Sequence, residues 1–501
     1  MVEKRVFLRG VFINYGQLLV AFVLNFALTP LMLKYLGQAG YGVWAAFSSI
    51  MTYFVLLDFG LNTAVAKYTA EYRAVERQDK ISAMASTAII IFGAIALLVL
   101  LASFTLACFI DGIFEIPTDL VSPAKTAFVV MSANVALMIL ASVFGNILYG
   151  FQRVDIWKAS SIIQLLTNAL LVILFLKFGF GLVGLAAASM VSSVLLVYLY
   201  LYFIRRGKYG LIFTHRLASM NTLKEIAPFS IRTFVLGVTS RMLYYTGPIL
   251  VGIILGVSAV TPYDITFKLC FYTTYLFSII STSMLPKFAE AYALKDIKTL
   301  SEIYLKTVKI TFALAVFVAA LLLSWGEAFI NLWVGPAGFA GFPVLLLLVA
   351  MNIFHALGTP AIALLQGIGK NKWVTYSEMW NAVLNLALSI ALLNNIGLPG
   401  IVLAMIVSHI FTSFWVMHGS VLKYAQLKIR DYLLSALLPA VLAGVVSFGL
   451  IFPFRKAFLD IGGFQDLFLK GGFMSILFGC AYYAVALNRE EKRSVIGLFK
   501  G

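Results

Sequence analysis

Residues 82–110 read SAMASTAIIIFGAIALLVLLASFTLACFI, twenty-nine consecutive positions without a charged side chain. About 20 apolar residues in an α-helix cross the roughly 30 Å hydrocarbon core of a bilayer, so this stretch alone is long enough to span a membrane. Lipid offers the backbone no water, and a helix satisfies its N–H and C=O groups within the segment. Working outward in both directions, thirteen further segments meet the same requirement. The spans fall near 11–33, 40–62, 82–110, 122–148, 156–178, 181–204, 226–254, 263–285, 305–325, 341–366, 374–395, 398–420, 432–454 and 467–487. The expected fold class is all-α integral membrane, with 14 transmembrane helices.

Composition points the same way. Of the 501 residues 62% are hydrophobic and 12% charged, the mean hydropathy is +0.98, and a soluble domain carries roughly 25% charged residues. A chain this poor in charge cannot cover a surface in water, which excludes a soluble enzyme. The formal charge of +16 would fit a nucleic-acid partner, but the basic residues sit between apolar segments on alternate loops, so no nucleic acid is expected. With the N-terminus inside, the inner segments hold 28 Lys and Arg and the outer loops 6, the asymmetry produced when basic residues stay on the cytoplasmic side. Both termini are therefore expected to face the cytoplasm, in a multi-pass protein of the cell inner membrane. Lys4, Arg5 and Arg9 precede the first apolar run without a small-residue cleavage site, which reads as a retained helix rather than a signal peptide. Cys108, Cys270 and Cys480 lie in separate apolar segments with no paired spacing, so they read as packing residues rather than a disulfide framework or metal site.

The longest segments between spans, 63–81, 205–225 and 286–304, are too short for a soluble catalytic domain. Pro286 to Lys309 has the composition of an amphipathic helix lying at the inner headgroup boundary. The chain also repeats itself at an offset of about 218 residues. Leu36-Gly37 matches Leu255-Gly256, and Ala66-Lys67-Tyr68 matches Pro286-Lys287-Phe288. Gly150-Phe151-Gln152-Arg153 matches Gly367-Ile368-Gly369-Lys370, and Gly181-Leu182-Val183-Gly184 matches Gly397-Leu398-Pro399-Gly400. Each copy holds six helices, an even number, so both insert with the same orientation. The expected organisation is an N-terminal lobe over 1–218, a C-terminal lobe over 219–425 and two trailing helices over 426–501. Two like-oriented bundles imply a central cleft worked by alternating access.

Ionisable residues within spans cost roughly 2.5–3.5 kcal/mol each on insertion scales and so face a cavity or a partner. Arg232 and Arg241 lie in helix 7, with Arg241 near mid-depth. Its guanidinium keeps its charge and presents a planar fork suited to phosphate, so an anionic cargo or a satisfying carbonyl or buried acid are the two open readings. Nine residues at 100° each place Arg232 and Arg241 on opposite faces unless the helix bends, for instance at Gly237. Asp58, at the inner end of helix 2, either meets Arg232 as a cytoplasmic gate, caps its own helix end or binds Lys67. Asp264 and Lys268, spaced i, i+4, form either a local ion pair or, through Lys268, part of the cargo site. Asn14, Gln17, Asn25 and Thr29 make one polar stripe along helix 1, facing either a wet cavity or a neighbouring helix. Tyr244, Tyr245, Phe271, Tyr272 and Tyr275 either stack on sugar rings or anchor the interface. Glu378 opens helix 11, and His355 and His409, within apolar helices, read as packing residues.

No phosphate-binding G-x-x-x-x-G-K-[ST] loop and no paired carboxylates in an aqueous loop occur. The chain is therefore read as a non-enzyme without organic cofactor or metal, driven by a proton or sodium gradient or by the cargo gradient itself.

The run Leu36-Gly37, Tyr41-Gly42-Val43-Trp44, Ser49-Ile50, Tyr53-Phe54 and Leu57-Asp58-Phe59-Gly60-Leu61 resembles the polysaccharide and O-antigen flippase family. That family shares its superfamily with multidrug and toxin extruders and peptidoglycan-precursor flippases. The resemblance covers essentially the whole chain. It implies movement of an isoprenoid-pyrophosphate-linked oligosaccharide, an O-antigen or other lipopolysaccharide or surface-polysaccharide unit, from the inner to the outer leaflet. It further implies basic cleft residues around the pyrophosphate, a lipid tail left in the bilayer, a monomer, and neighbouring polysaccharide-assembly membrane proteins as partners. Helix 1 has no basic residue within its span, which departs from the peptidoglycan-precursor branch. An ion-coupled multidrug extruder is the alternative within the superfamily, and a membrane-embedded glycosyltransferase the alternative outside it. The latter would need a catalytic outer loop, where only Asp111, Glu115 and Asp119 cluster.

Overall fold

The computed structural model describes residues 2–207, 209–451, 460–487, 489, 491 and 492. The protein is an all-α integral membrane protein: no strand occurs among the described residues, and 12 of their helices are long and apolar enough to cross a bilayer. The helices are α1 (Val2–Phe54), α2 (Leu61–Ala74), α3 (Gln78–Ile113), α4 (Thr118–Gly150), α5 (Val154–Lys177), α6 (Gly181–Arg206), α7 (Met220–Ile254), α8 (Val257–Ser283) and α9 (Leu285–Ala293). They continue as α10 (Ile297–Val334), α11 (Phe342–Gly367), α12 (Lys372–Ile396), α13 (Leu398–His409), α14 (Trp415–Tyr424), α15 (Ile429–Asp431), α16 (Leu438–Ile451) and α17 (Phe464–Ala481). Three π-helical stretches, Ile410–Phe414, Tyr432–Leu437 and Tyr482–Ala486, extend α13, α15 and α17.

The chain forms two compact units, Met1–Thr261 and Pro262–Gly501. In the first, α7 packs against α1, α2 and α3, and α4 against α3 and α6. In the second, α10 packs against α11, α16 and the Tyr432–Leu437 turn, while α12 and α13 form a hairpin. The repeat assigns α7 to its second copy, whereas packing places it in the first unit: sequence likeness and burial divide the chain at different points.

Long helices need a device to change direction without stranding carbonyls in lipid. In α1 it is Gly37, at φ 69 and ψ 179, a conformation that carries a side chain only under strain. It splits the 53-residue helix into two segments where the sequence reading placed a short loop. Gln38, just after the break, donates through its side chain to the Ser258 carbonyl at 3.1 Å, and the Thr261 hydroxyl donates to the Gln38 carbonyl at 2.6 Å. The start of α8 is thereby pinned to the second segment of α1.

The repeat is visible in the backbone. Positive φ recurs at Gly37 and Gly256 (69° and 83°), Glu76 and Lys295 (56° and 58°), Gln152 and Gly369 (60° and 69°), and Gly181 and Gly397 (52° and 66°). The closing hydrogen bonds recur too. Arg153 N–H donates to the Leu148 carbonyl at 2.9 Å and Lys370 N–H to Leu365 at 2.8 Å; Arg77 N–H donates to Tyr72 at 2.9 Å and Asp296 N–H to Ala291 at 3.0 Å. These are the six-to-one bonds of a left-handed helix cap, made at matching places in both copies.

One expectation is corrected. Pro286 to Lys309 is not a single boundary helix: the chain turns at Lys295, Asp296 accepts from the Thr299 N–H at 3.0 Å as the cap of a new helix, and residues 297–309 run on into α10.

Adding a Cβ at Gly37 or Gly256 should lower stability by about 1–3 kcal/mol through backbone strain. Gly16→Ala, inside α1 with nothing within 4 Å of the new methyl, should leave it unchanged or raise it. Thermal unfolding of the three variants in lipid nanodiscs checks this.

Candidate functional site

The candidate site is built where the end of α1 meets α7, inside the first unit. After Phe54 the chain tightens into one 3-10 turn, Val55–Asp58, and leaves it through Phe59 and Gly60, both left-handed. A Cβ on Gly60 would lie 2.3 Å from the Ser230 carbonyl of α7, so only glycine lets the two backbones approach this closely. Phe59 and Phe234 hold the crossing with ring centroids 5.1 Å apart.

The turn fixes Asp58. One carboxylate oxygen accepts from the Gly60 N–H at 2.9 Å and the other from the Asn62 amide at 2.6 Å. Asn62 in turn accepts from the Asn146 amide of α4 at 3.0 Å. Asp58 therefore closes the turn that leads into α2, rather than capping the end of its own helix as one reading of the sequence had it, and Lys67 pairs with Glu71 at 3.4 Å. The Arg232 side chain lies outside the described residues, and so does the proposed Asp58–Arg232 gate.

Arg241 stands apart from this network. Arg241 as a whole is half-buried, and its one hydrogen bond among the described residues goes through Nη1 to the Gly237 carbonyl of its own helix at 3.4 Å. Its Nε is buried with no partner. The Arg241 charge acts on Asp58 across space, but no carboxylate among the described residues lies within 4 Å of it. The backbone that carries it is held from α1: the Tyr53 hydroxyl lies 3.2 Å from the Arg241 carbonyl, to which it donates, and 2.5 Å from the Thr246 hydroxyl. α7 runs as one continuous helix from Met220 to Ile254, so positions 232 and 241 stay on opposite faces.

The inner end of α7 is tied to α2. The Tyr72 hydroxyl donates to the Glu225 carboxylate at 2.7 Å and the Tyr68 hydroxyl to the Glu225 carbonyl at 3.2 Å. Burial, then the bond to Glu225, pushes the Tyr72 hydroxyl well above the ordinary phenol range, so it remains a donor.

The other candidates are dispersed. In α1, Gln17 is half-buried and Asn25 exposed. The Asn25 amide donates to the Ala21 carbonyl at 2.8 Å and the Thr29 hydroxyl to the Asn25 carbonyl at 2.7 Å, so these two stripe residues bond to their own helix. The Asn14 side chain lies outside the described residues. Tyr244 is half-buried and Tyr245 exposed. In the second unit Lys268 grips the buried Asp264 at 2.6 Å, the local ion pair. Phe271 and Tyr275 meet edge-on at 5.6 Å, and Tyr272 and Tyr275 stack at 6.5 Å, rings against rings along α8. Asp111 pairs with Lys125 at 2.9 Å. Tyr53, Asn62, Asn146 and Glu225 were not singled out for these bonds. Only Asn62 had a local signal, four residues after Asp58; Tyr53 and Thr246 are 193 residues apart.

Comparison with known proteins supplies the family. The profile described as "Polysaccharide biosynthesis protein" matches residues 7–292. The chain is 22% identical to the uncharacterized membrane protein EpsK of Bacillus subtilis (strain 168), over 97% of this chain and 98% of that one. It is 23% identical to a putative O-antigen export protein of Yersinia pseudotuberculosis, over 80% and 92%. Among solved structures it shares the fold of the lipid II flippase MurJ in an inward closed conformation (TM-score 0.72, 16% identity, covering 95% and 99%). It also shares that of a multidrug resistance MATE family transporter of the MOP superfamily in an inward-facing conformation (TM-score 0.64, 20% identity, covering 80% and 95%).

If Asp58 closes this turn, Asp58→Ala strips two donors of their acceptor and should cost about 1–3 kcal/mol, while Asp58→Asn keeps an oxygen for the Gly60 N–H and costs less than half as much. Equal losses in unfolding midpoint would instead mark an ionic role.

Proposed function

Because the chain belongs to the polysaccharide biosynthesis protein family, we propose that it moves an isoprenoid-pyrophosphate-linked oligosaccharide, such as an O-antigen unit, from the inner to the outer leaflet by alternating access. The coarser reading, a multi-pass membrane flippase or transporter, is supported by the fold shared with MurJ and the MATE transporter. The observation that carries the finer one is Arg241: a permanent cation within a span, with a buried unpartnered Nε and no hydrogen-bonded acid among the described residues. An unneutralised guanidinium at that depth is costly to maintain, and a pyrophosphate satisfies it with two parallel charge-assisted hydrogen bonds.

In this reading Tyr53 positions the α7 backbone under Arg241, and Asp58, occupied by Gly60 and Asn62, is withheld from it. The cationic side chain thus waits for an anion supplied by the cargo. Exposing the Arg241 side chain to one side of the membrane and then the other moves the headgroup while the isoprenoid stays in the lipid. With the two segments around Gly37 counted separately and α7 added, the 12 candidate spans become the fourteen of the topology we propose, with both termini cytoplasmic, in a cell inner membrane.

In proteoliposomes carrying a fluorescent lipid-linked oligosaccharide, Arg241→Ala should reduce leaflet translocation at least tenfold, about 1.4 kcal/mol or more at 25 °C, and Arg241→Lys by an intermediate factor because the charge remains but the fork is lost. Translocation unchanged by Arg241→Ala removes it from the cargo site. Efflux of organic cations at a comparable rate would favour the extruder.

A further inference from the structure

Within the first unit, residues 209–219 join α6 to α7 as a strap that is helical only in one 3-10 turn, His215–Leu217. Outside a helix its N–H groups need other partners, and hydroxyls of α3 supply them. The Ile212 N–H donates to the Ser82 hydroxyl at 3.2 Å, the Thr214 N–H to Ser86 at 3.2 Å and the Ser219 N–H to Thr87 at 3.0 Å. Thr214 is extended (φ −149, ψ 143), and Ser82 and Ser86 stand one helical turn apart on one face, so alternate N–H groups of the strap meet successive turns of the helix. Two ring contacts complete the seam: Tyr209 lies 4.3 Å from Phe151 and Phe213 5.7 Å from Phe144, centroid to centroid. The strap ends at Ser219, whose hydroxyl accepts from the Asn221 N–H at 3.2 Å as the cap of α7.

The face of α3 that carries the strap is the face it shows to lipid. Ser82, Ser86, Ile90, Leu97, Leu101 and Phe104 recur at helical spacing and line one stripe. From Ile90 onward the stripe is open, with Ile90, Leu97, Leu101 and Phe104 exposed, whereas Ser82 and Ser86 are buried where the strap lies over them. The strap therefore sits at the perimeter, beside the bilayer, and between Ser82 and Thr87 it follows α3 for about 7.5 Å of rise. Its own apolar side chains stay open: Ile212 is 63% and Met220 65% exposed, and Leu217 is exposed as well. Arg205 and Arg206 at the end of α6, and Arg216 in the strap, are exposed beside them. Residues 205–224 hold Arg205, Arg206, Lys208, Arg216 and Lys224 and not one acid. Among the described residues no carboxylate lies within 4 Å of Arg205, Arg206 or Arg216; Arg206 donates to the Tyr202 hydroxyl at 3.1 Å. Open apolar side chains at the edge of a lipid face, among arginines with no acid in reach, fit an anionic phospholipid. Its phosphate takes the guanidinium fork, and its acyl boundary takes the apolar side chains.

We propose that the strap, with the adjoining ends of α6 and α7, is a binding site for anionic phospholipid. Arg205, Arg206 and Arg216 hold the phosphate, Ile212, Leu217 and Met220 enter the acyl boundary, and the hydroxyls of Ser82, Ser86 and Thr87 keep the strap at that depth. The topology proposed above places the site on the inner leaflet; the binding itself rests on the strap alone.

The test uses the full chain in nanodiscs of phosphatidylcholine, alone or mixed with phosphatidylglycerol, with native mass spectrometry to count the phospholipids retained on release. The unchanged protein should retain phosphatidylglycerol over phosphatidylcholine by about tenfold. The triple variant Arg205→Gln, Arg206→Gln, Arg216→Gln should fall to near parity, while Lys423→Gln, Lys428→Gln, Arg430→Gln, which removes as much charge from an exposed stretch of the second unit, should keep the preference. No preference in the unchanged protein, or equal losses in the two triple variants, overturns the proposal. Should the first triple variant not fold, hydrogen exchange of the unchanged chain decides: the strap amides should exchange about threefold more slowly with phosphatidylglycerol present, and the uncharged segment 335–341 at the same rate. Equal strap rates in both lipids overturn the site. Ile212→Ser with Met220→Ser should lower retention by a smaller factor. If that pair instead converts a dimer to a monomer and leaves retention unchanged, a second copy of the chain occupies the strap and the proposal falls. Nanodiscs present the same lipids on both faces and carry no oligosaccharide, so failure here leaves the transport reading standing, and failure of transport leaves this result unaffected.

Discussion

Within hydrocarbon, every backbone N–H and C=O must be satisfied by its own helix or by a close neighbour, and the rest of the architecture answers to that constraint. Several direction changes fall at left-handed residues, and at Glu76, Gln152, Lys295 and Gly369 the next N–H reaches back to one of the last carbonyls of the helix. The same solution appears at matching places in both halves. Gln152 in the first copy stands where Gly369 stands in the second, and Glu76 where Lys295 stands. It is the conformation, with its closing hydrogen bonds, that repeats, and the residue type follows only where space or strain demands glycine. At Gly60 space demands it, because α7 crosses directly over the turn.

That crossing determines the chemistry of the first unit. Two oxygens near Arg241 that might have satisfied its guanidinium are committed elsewhere: the Asp58 carboxylate to Gly60 and Asn62, and the Tyr53 hydroxyl to the Arg241 backbone and Thr246. A buried charge is normally paired, and the structure spends its nearby polar groups on fixing helices instead. Lys268, by contrast, is clamped on Asp264 in the second unit. The anionic cargo proposed above would account for the difference.

The all-α membrane class and most of the spans were legible because about twenty apolar residues in a row have few other physical meanings. The repeat was legible from Gly37, Gly150, Gly181 and their partners, since helix ends constrain residue choice more than helix faces do. Packing was not legible. That α7 joins the first unit depends on contacts such as Gly60 with Ser230, 170 positions apart in a chain numbered continuously, which no local pattern encodes. The mid-span position of Arg241 could be read from its neighbours, but its lack of an acid could not, because that is a property of where Asp58 points.

The account stands or falls on what occupies the Arg241 guanidinium. A cryo-EM structure of the protein in nanodiscs with an isoprenyl-pyrophosphate oligosaccharide tests this most directly. The account predicts pyrophosphate oxygens within hydrogen-bond distance of Nε and the Nη atoms. Arg241 joined to a protein carboxylate, with the pyrophosphate bound elsewhere, would contradict it.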